Sequence, residues 1–160
     1  MKILMVCLGN ICRSPLAEGI LQAKARQAGL DWIVDSAGTN GFHTGEAPHH
    51  QSQKVALLNG IDISKQVSRK FVKADLERYD KIYVMAADVL DEMSIILGGK
   101  GRGNKAELFL NSIYPGQNMD LADPWYGTED GYHDAYALID EACDAIIEQY
   151  LTHESKTEKV

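Results

Sequence analysis

Eight consecutive residues, Cys7-Leu8-Gly9-Asn10-Ile11-Cys12-Arg13-Ser14, bring a thiol, a guanidinium and a hydroxyl together at the spacing C-x5-R-S. A short apolar run, Ile3–Val6, precedes them, and Pro15 with the periodic apolar residues Leu16, Ile20 and Leu21 follows. The segment therefore joins a buried strand to a helix. At such a junction backbone N–H groups turn into one concavity, and the helix adds the positive end of its dipole. Gly9 opens backbone conformations barred to other residues, and Asn10 tolerates the left-handed region. The expected result is a nest for a phosphate-like dianion, formed by Leu8, Gly9, Asn10, Ile11, Cys12, Arg13 and Ser14. Arg13 can grip two phosphate oxygens at once, while Asn10 reads as a brace of the loop. Cys7 stands at the entrance. A free thiol titrates near ~8.5, and a helix N-terminus or a cation lowers it to roughly 3.5–7.5. Cys7 is thus expected to act as a thiolate nucleophile on phosphorus, with Ser14 easing its departure in a second step. A lone Cys after a strand is ordinarily a small buried hydrophobe; the company of Gly, Arg and Ser at this turn makes the functional reading the better one.

Transfer of phosphorus from an alkoxide or phenoxide needs a proton for the leaving oxygen. Asp123, in Asp123-Pro124-Trp125-Tyr126-Gly127, is the candidate acid, with Asp120 as fallback. Asp-Pro is by itself a common turn, but Pro124 holds Asp123 extended and the two aromatics can wall an aromatic substrate. Other signals are weaker. Gly101–Ala106 matches G-x-G-x-x-A in letters, yet it precedes a strand and does not open a helix. His49 and His50 read as a solvated helix start, and Ser68–Asp75 as a solvated charged face. Cys12 is balanced between packing and redox roles, and Cys143 falls on an apolar stripe and reads as core.

The elements that must position these groups alternate. Strands are expected at Ile3–Val6, Trp32–Asp35, Lys81–Met85 and Glu107–Leu110. Helices are expected from Ser14, as N-cap, to the stop at Gly29; over His49–Asn59 with Val55, Leu57 and Leu58 inward; near Asp75–Arg78; from Asp88 as cap to Ile96, ended by Gly98–Gly99; and from Tyr132 to Tyr150. The alternation predicts a three-layer α/β domain on a mainly parallel sheet, with ligands at the carboxyl ends of the strands. One domain over residues 1–151 and a polar, frayed tail over 152–160 complete the expected organisation.

Composition agrees with a single α/β domain. The chain has 160 residues, a size for one domain, with 45% hydrophobic and 24% charged residues. Sixteen Lys and Arg against 23 Asp and Glu give a net charge of −7, which argues against a general nucleic-acid binder. Three cysteines without a C-x2-C spacing support neither a disulfide framework nor a zinc site. The opening apolar run is too short for a signal sequence or membrane span, so a reducing cytoplasm is the default location, and no metal or other cofactor is expected.

With VCLGNICRSP at Val6–Pro15, DSAGT at Asp35–Thr39 and DPWYG at Asp123–Gly127, the chain resembles the low-molecular-weight protein tyrosine phosphatases over essentially its whole length. The resemblance implies a flavodoxin-like fold with a central four-stranded parallel sheet. It also implies a phosphocysteine intermediate on Cys7, phosphate held by the loop amides and Arg13, and Asp123 as acid and then base. The same family includes protein-arginine phosphatases, which typically carry Thr at the position of Ile11 and small residues after Asp-Pro, and arsenate reductases with a further mid-chain Cys pair. Ile11, Phe42, Trp125 and Tyr126 here form the expected substrate pocket and favour phosphotyrosine. The partner this calls for is a tyrosine-phosphorylated protein, a tyrosine kinase included; oligomeric state is not legible. A non-catalytic phosphate-binding module would need neither Cys7 nor Asp123. Relatives similarly carry a second Cys able to bridge to the first, which makes Cys12 the expected redox partner of Cys7. Where many relatives place a His that braces the loop, this chain has Gln66, which cannot carry charge.

Overall fold

The computed structural model describes residues 1–99 and 105–159. Among these residues four strands, β1 (Lys2–Cys7), β2 (Ile33–Gly38), β3 (Lys81–Val84) and β4 (Ala106–Leu108), form one sheet in the order β2-β1-β3-β4 with every pairing parallel. The central strand β1 is buried on both faces because it is apolar at every position from Ile3 to Cys7, as a strand covered by two layers must be. Its side chains alternate. Ile3, Met5 and Cys7 face a core with Leu16, Ile20, Tyr132, Ile139 and Cys143. Leu4 and Val6 face a second core with Phe71, Ile82, Val84, Val89 and Met93. The expected α/β three-layer architecture is therefore present. Cys143 is fully buried in the first core, where burial pushes its thiol far up.

Among the described residues five α-helices cover the sheet: α1 (Arg13–Gln27), α2 (His50–Leu58), α3 (Asp75–Arg78), α4 (Ala87–Ile96) and α5 (Glu129–Glu158). Gly29, at φ 71°, ends α1, with the Leu30 N–H returning to the Ala25 carbonyl at 2.8 Å. Consecutive glycines at 98 and 99, both at positive φ, end α4. Several boundaries differ from the sequence reading, each for a physical reason. Helix α1 begins at Arg13, not after a Ser14 cap, because the Ser14 hydroxyl is drawn inward to Cys7. Asp88 is in the first turn of α4; the N–H of Ala87 is instead accepted by Asp120 from across the chain, at 2.8 Å. Leu57 and Leu58 are exposed, since α2 packs through Ser52, Val55 and Ala56 alone. β2 runs on to Gly38 where Asp35 was expected to end it, and β4 is shorter than expected because the chain coils into a 3₁₀ turn at Phe109–Ser112. The final residues do not fray at Thr152: α5 continues as an exposed helix to Glu158. Most of the glycine-rich stretch 101–106 lies outside the described residues.

The stretch from Ser68 to Asp75 is the largest departure. It is solvated only in part, at Lys70, Val72, Lys73 and Ala74. Ser68, Phe71 and Asp75 are buried, and the chain runs beside the end of β2, with the Gly38 N–H to the Arg69 carbonyl at 2.9 Å and the Phe71 N–H to the Gly38 carbonyl at 2.7 Å. The charges are tolerated inside because they are paired. Arg69 holds Asp75 through both terminal nitrogens, at 2.9 and 3.0 Å. Among the described residues, no helix is long and apolar enough to cross a membrane.

Candidate active site

The chain passes from β1 to β2 on one side and from β3 to β4 on the other, so the two connections diverge and a crevice opens at the carboxyl ends of β1 and β3. The loop from Cys7 to Cys12 fills that crevice. Five of its six carbonyls find partners on the outside. The Cys7 carbonyl accepts from the Thr39 N–H and that of Leu8 from the Asn40 N–H, both at 3.0 Å, and that of Ile11 from the His49 N–H at 2.8 Å. The Gly9 and Cys12 carbonyls accept from the hydroxyls of Ser68 and Ser52, each at 3.2 Å. In a trans peptide the N–H points opposite the carbonyl. The N–H groups of Leu8, Gly9, Asn10, Cys12 and Arg13 therefore face the inside of the ring. The Asn10 N–H shows it directly, donating to Cys7 Sγ at 3.3 Å.

Two residues make so tight a ring feasible. Asn10 takes a left-handed backbone, φ 57°, and its side chain is fixed at three points. Oδ1 accepts from the Arg69 N–H at 3.0 Å, and Nδ2 donates to Ser14 Oγ and Ser36 Oγ, each at 2.9 Å. Gly38 lies directly beneath: a Cβ there would stand 2.8 Å from the Leu8 carbonyl oxygen and 3.0 Å from the Asn10 nitrogen. Only a glycine lets β2 lie so close to the loop.

Cys7 Sγ sits 3.0 Å from Ser14 Oγ. The Arg13 guanidinium, nearly fully buried, donates to the Leu121 carbonyl at 2.9 Å and stands 3.6 Å from Asp123 Oδ2. Leu121 is in turn anchored to the sheet, its N–H donating to the Met85 carbonyl at 2.8 Å. Asp123 Oδ1 caps the short 3₁₀ turn Pro124–Tyr126 through the Trp125 N–H at 3.0 Å. A cleft of about 260 Å³ opens between these groups, and the side chains expected from the sequence meet there: Cys7, Ile11, Cys12, Arg13, Phe42, Asp123, Trp125 and Tyr126. Phe42 and Tyr126 form its outer rim, 86% and 88% exposed. Asn10 and Ser14 lie behind the loop. Asp120 is turned away to α4. Cys12 Sγ lies 3.6 Å from the Tyr132 hydroxyl, and burial, with some help from the charges of Asp123 and Cys7, pushes its thiol up to about 12.

Sequence reading missed several residues of this site. His43 and Asn40 line the cleft. His49 is no solvated helix start: it caps α2, stacks on Tyr132 and meets the edge of Trp125, both at 5.2 Å, and burial lowers its pKa. The loop's braces are Ser36, Ser68 and Arg69. Gln66 does not reach the loop; its Nε2 donates to the Pro15 carbonyl at 3.1 Å. Of these, Ser36 lay in the Asp35–Thr39 motif, Ser68 and Arg69 in a stretch read as a solvated charged face, and His49 in one read as a solvated helix start, whereas Asn40 and His43 carried no signal.

Residues 2–157 match the family model for low molecular weight phosphotyrosine protein phosphatases. The chain belongs to this family. A relative from Schizosaccharomyces pombe, named low molecular weight phosphotyrosine protein phosphatase, is 36% identical over 143 residues, 86% of this chain and 89% of its own. Among solved structures, a protein tyrosine phosphatase from Entamoeba histolytica with Hepes in its active site superposes with a TM-score of 0.87 at 30% identity, covering 96% of this chain and 99% of that one. A Drosophila arginine phosphatase superposes with a TM-score of 0.84 at 28% identity, covering 94% and 98%. The family membership makes this phosphatase domain a phosphoric monoester hydrolase in kind, and both substrate classes occur among folds this similar.

Proposed function

We propose that this protein hydrolyses phosphotyrosine in proteins through a cysteinyl-phosphate on Cys7. The observation that carries the reading is the loop whose outward carbonyls turn its N–H groups inward, that of Asn10 onto the Cys7 sulfur, with Arg13 and Asp123 lining the same cleft. A phosphoryl dianion in that ring would have its oxygens met by the loop amides and the Arg13 fork, while the sulfur stands in line behind phosphorus. Cys7 Sγ forms a bond to phosphorus as the bond to the phenolic oxygen breaks, and Asp123 supplies the proton that oxygen needs. In the second step Asp123 takes a proton from water as it attacks phosphorus. The S–P bond breaks, phosphate is released, and the departing sulfur is met by the Ser14 hydroxyl. No metal or organic cofactor enters this scheme.

Support for an aryl substrate comes from the walls. Ile11 is an apolar side chain at the cleft, and Phe42, Trp125 and Tyr126 surround its mouth, a setting that buries an aromatic ring well. Arginine phosphatases of the same fold make phosphoarginine the second reading. The natural partner would be a tyrosine-phosphorylated protein in the cytoplasm.

A turnover panel of phosphotyrosine, phosphoarginine and phosphoserine peptides, with arsenate alongside, tests this. Phosphotyrosine should be turned over fastest. Cys7→Ser should stay folded, still bind vanadate and show no turnover; retained activity there would remove the covalent mechanism. Faster turnover of phosphoarginine would replace the substrate assignment and leave the mechanism in place.

A further inference from the structure

Behind the anion ring, five side chains form one continuous hydrogen-bonded chain. Glu18 Oε1 accepts from Ser36 Oγ at 2.8 Å. Ser36 Oγ accepts from Asn10 Nδ2 at 2.9 Å, and Asn10 Nδ2 donates again to Ser14 Oγ at 2.9 Å. Ser14 Oγ closes the chain 3.0 Å from Cys7 Sγ. The directions are forced by chemistry. The Arg69 N–H is a donor, so it must face the Asn10 carbonyl oxygen, which puts the amide nitrogen toward the two serines. That nitrogen only donates, one proton to each serine. An ionised Glu18 only accepts, so Ser36 spends its own proton on the carboxylate. Ser14 then has one proton left, and the sulfur is where it goes. Helix α1 supplies two of the five, Ser14 and Glu18, which are four residues apart and share a face.

We propose that Glu18 is a positioning residue for Cys7, its carboxylate holding Ser36 Oγ as the acceptor that anchors the Asn10 amide, from which the hydrogen bonds run through Ser14 to the sulfur. This rests on reading Cys7 as the nucleophile of the cleft. The chain has a titratable end in a useful range: burial raises the Glu18 pKa to about 7, against the opposing hydrogen bond from Ser36. The charged groups facing it are Asp35 on β2, which raises it further, and Arg69, which lowers it. Arg69 is committed elsewhere, to Asp75 and to the Tyr79 hydroxyl, and Tyr79 itself donates to Asp35 at 2.7 Å. Neighbouring Gln66 is neutral and binds Pro15. Among the described residues no cation forms an ion pair with Glu18. When Glu18 takes a proton it becomes a donor toward Ser36. That proton then competes with the Asn10 amide for the Ser36 oxygen, so the Asn10–Ser36 bond weakens and Asn10 holds Ser14 less firmly against the sulfur, while the direction set by the Arg69 N–H stays.

The test reads the sulfur without any phosphate ester: the rate of Cys7 alkylation by iodoacetamide, confirmed by peptide mapping, from pH 5.5 to 9. Wild type should show, besides the ionisation of the sulfur itself, a rise of roughly two- to tenfold centred near 7, the worth of about one hydrogen bond. In Glu18→Gln the side-chain oxygen still accepts from Ser36 but cannot titrate, so this step should vanish and the curve should follow the upper branch. Ser36→Ala should also lack the step but follow the lower branch throughout. A ¹³C-labelled carboxyl resonance of Glu18 in wild type should titrate with the midpoint of the alkylation step, a measurement that needs no variant. The proposal is overturned if Glu18→Gln keeps the step, if wild type has none, if the step has the opposite sign, or if the two midpoints disagree. The phosphatase reading stands or falls separately, on turnover by Cys7→Ser.

Discussion

Arg69 and Asp75 form a two-pronged ion pair, at 2.9 and 3.0 Å, with the carboxylate completely buried and the guanidinium about one-third exposed. The pair does structural work for the cleft, because the backbone N–H of Arg69 is also the donor that orients Asn10. Asp75 further accepts from the Val72 N–H at 2.9 Å. Asp75→Asn keeps the shape and removes the charge, stranding a partly buried cation. The expected loss is about 3–5 kcal/mol of folding stability, the usual cost of breaking one side of such a pair. Urea unfolding checks it. Unchanged stability would mean that the pair is fully solvated in solution.

Glu18 makes stability depend on pH with a definite sign. Its folded-state pKa, about 7, lies above the ordinary carboxylate value. The folded protein therefore binds this proton more tightly than the unfolded chain does. Its contribution is complete below the unfolded pKa and is lost as pH rises through about 7. Glu18→Gln should match wild type near pH 5 and become progressively more stable than it up to about pH 7.5, with a plateau of the order of 3 kcal/mol at most. Melting temperatures across that range decide it; a constant difference between the two proteins would show that the carboxyl titrates as if exposed.

Asp123 is expected to matter in proportion to how poor the leaving group is. Asp123→Asn should lose about 10²–10⁴ in kcat on phosphotyrosine, and much less on an aryl phosphate whose phenol is strongly acidic. Equal losses on both would make Asp123 a bracket for Arg13 only. Asp120→Asn should leave the rates alone while weakening the start of α4, where Asp120 accepts from the Ala87 N–H.

Peroxide should inactivate the enzyme by oxidising Cys7 to the sulfenic acid. The Cys12 thiol should then attack that sulfur, with loss of water, to leave a disulfide that dithiothreitol opens. Since burial holds the Cys12 thiol up at about 12, only a small fraction is thiolate near neutrality. Bridging should therefore speed up about tenfold per pH unit between 6 and 8. Recovery after peroxide should fall in Cys12→Ser. Mass mapping that finds no Cys7–Cys12 peptide in oxidised wild type would leave Cys12 as packing against Tyr132.

The legible part of the site was the part held within one short stretch. Cys7, Arg13 and Ser14 share a loop whose flanking strand and helix show in the apolar pattern. Asp123 was found because proline and two aromatics follow it. Ser14 was read both as a cap and as a partner of the departing sulfur; only the folded loop, which brings the two within 3.0 Å, shows that the sulfur claims the hydroxyl. The loop's supports were hidden for the same reason. Glu18, Ser36 and Arg69 become meaningful only when three separate elements meet. Asp75 looked solvated because composition reports a charge but not the guanidinium that will pair with it. In the fold, β1 and α5 were read from unbroken patterns. Leu57 and Leu58 were misread because a nine-residue helix touches its neighbours along one narrow stripe.

The placement of the two tryptophans gives the protein its own optical gauge. Trp32 is shielded against Tyr150 on α5, with ring centres 5.0 Å apart, in the core that α1 and α5 share. Trp125 stands at the mouth of the cleft, 43% exposed, between the imidazoles of His43 and His49 at 5.6 and 5.2 Å. One indole thus emits from a dry and fixed setting, and the other from a surface whose wetness changes whenever the cleft is filled. The red edge of the intrinsic fluorescence should follow occupancy of the cleft, while the blue edge follows only the integrity of the core. A single unlabelled sample can then separate binding from unfolding.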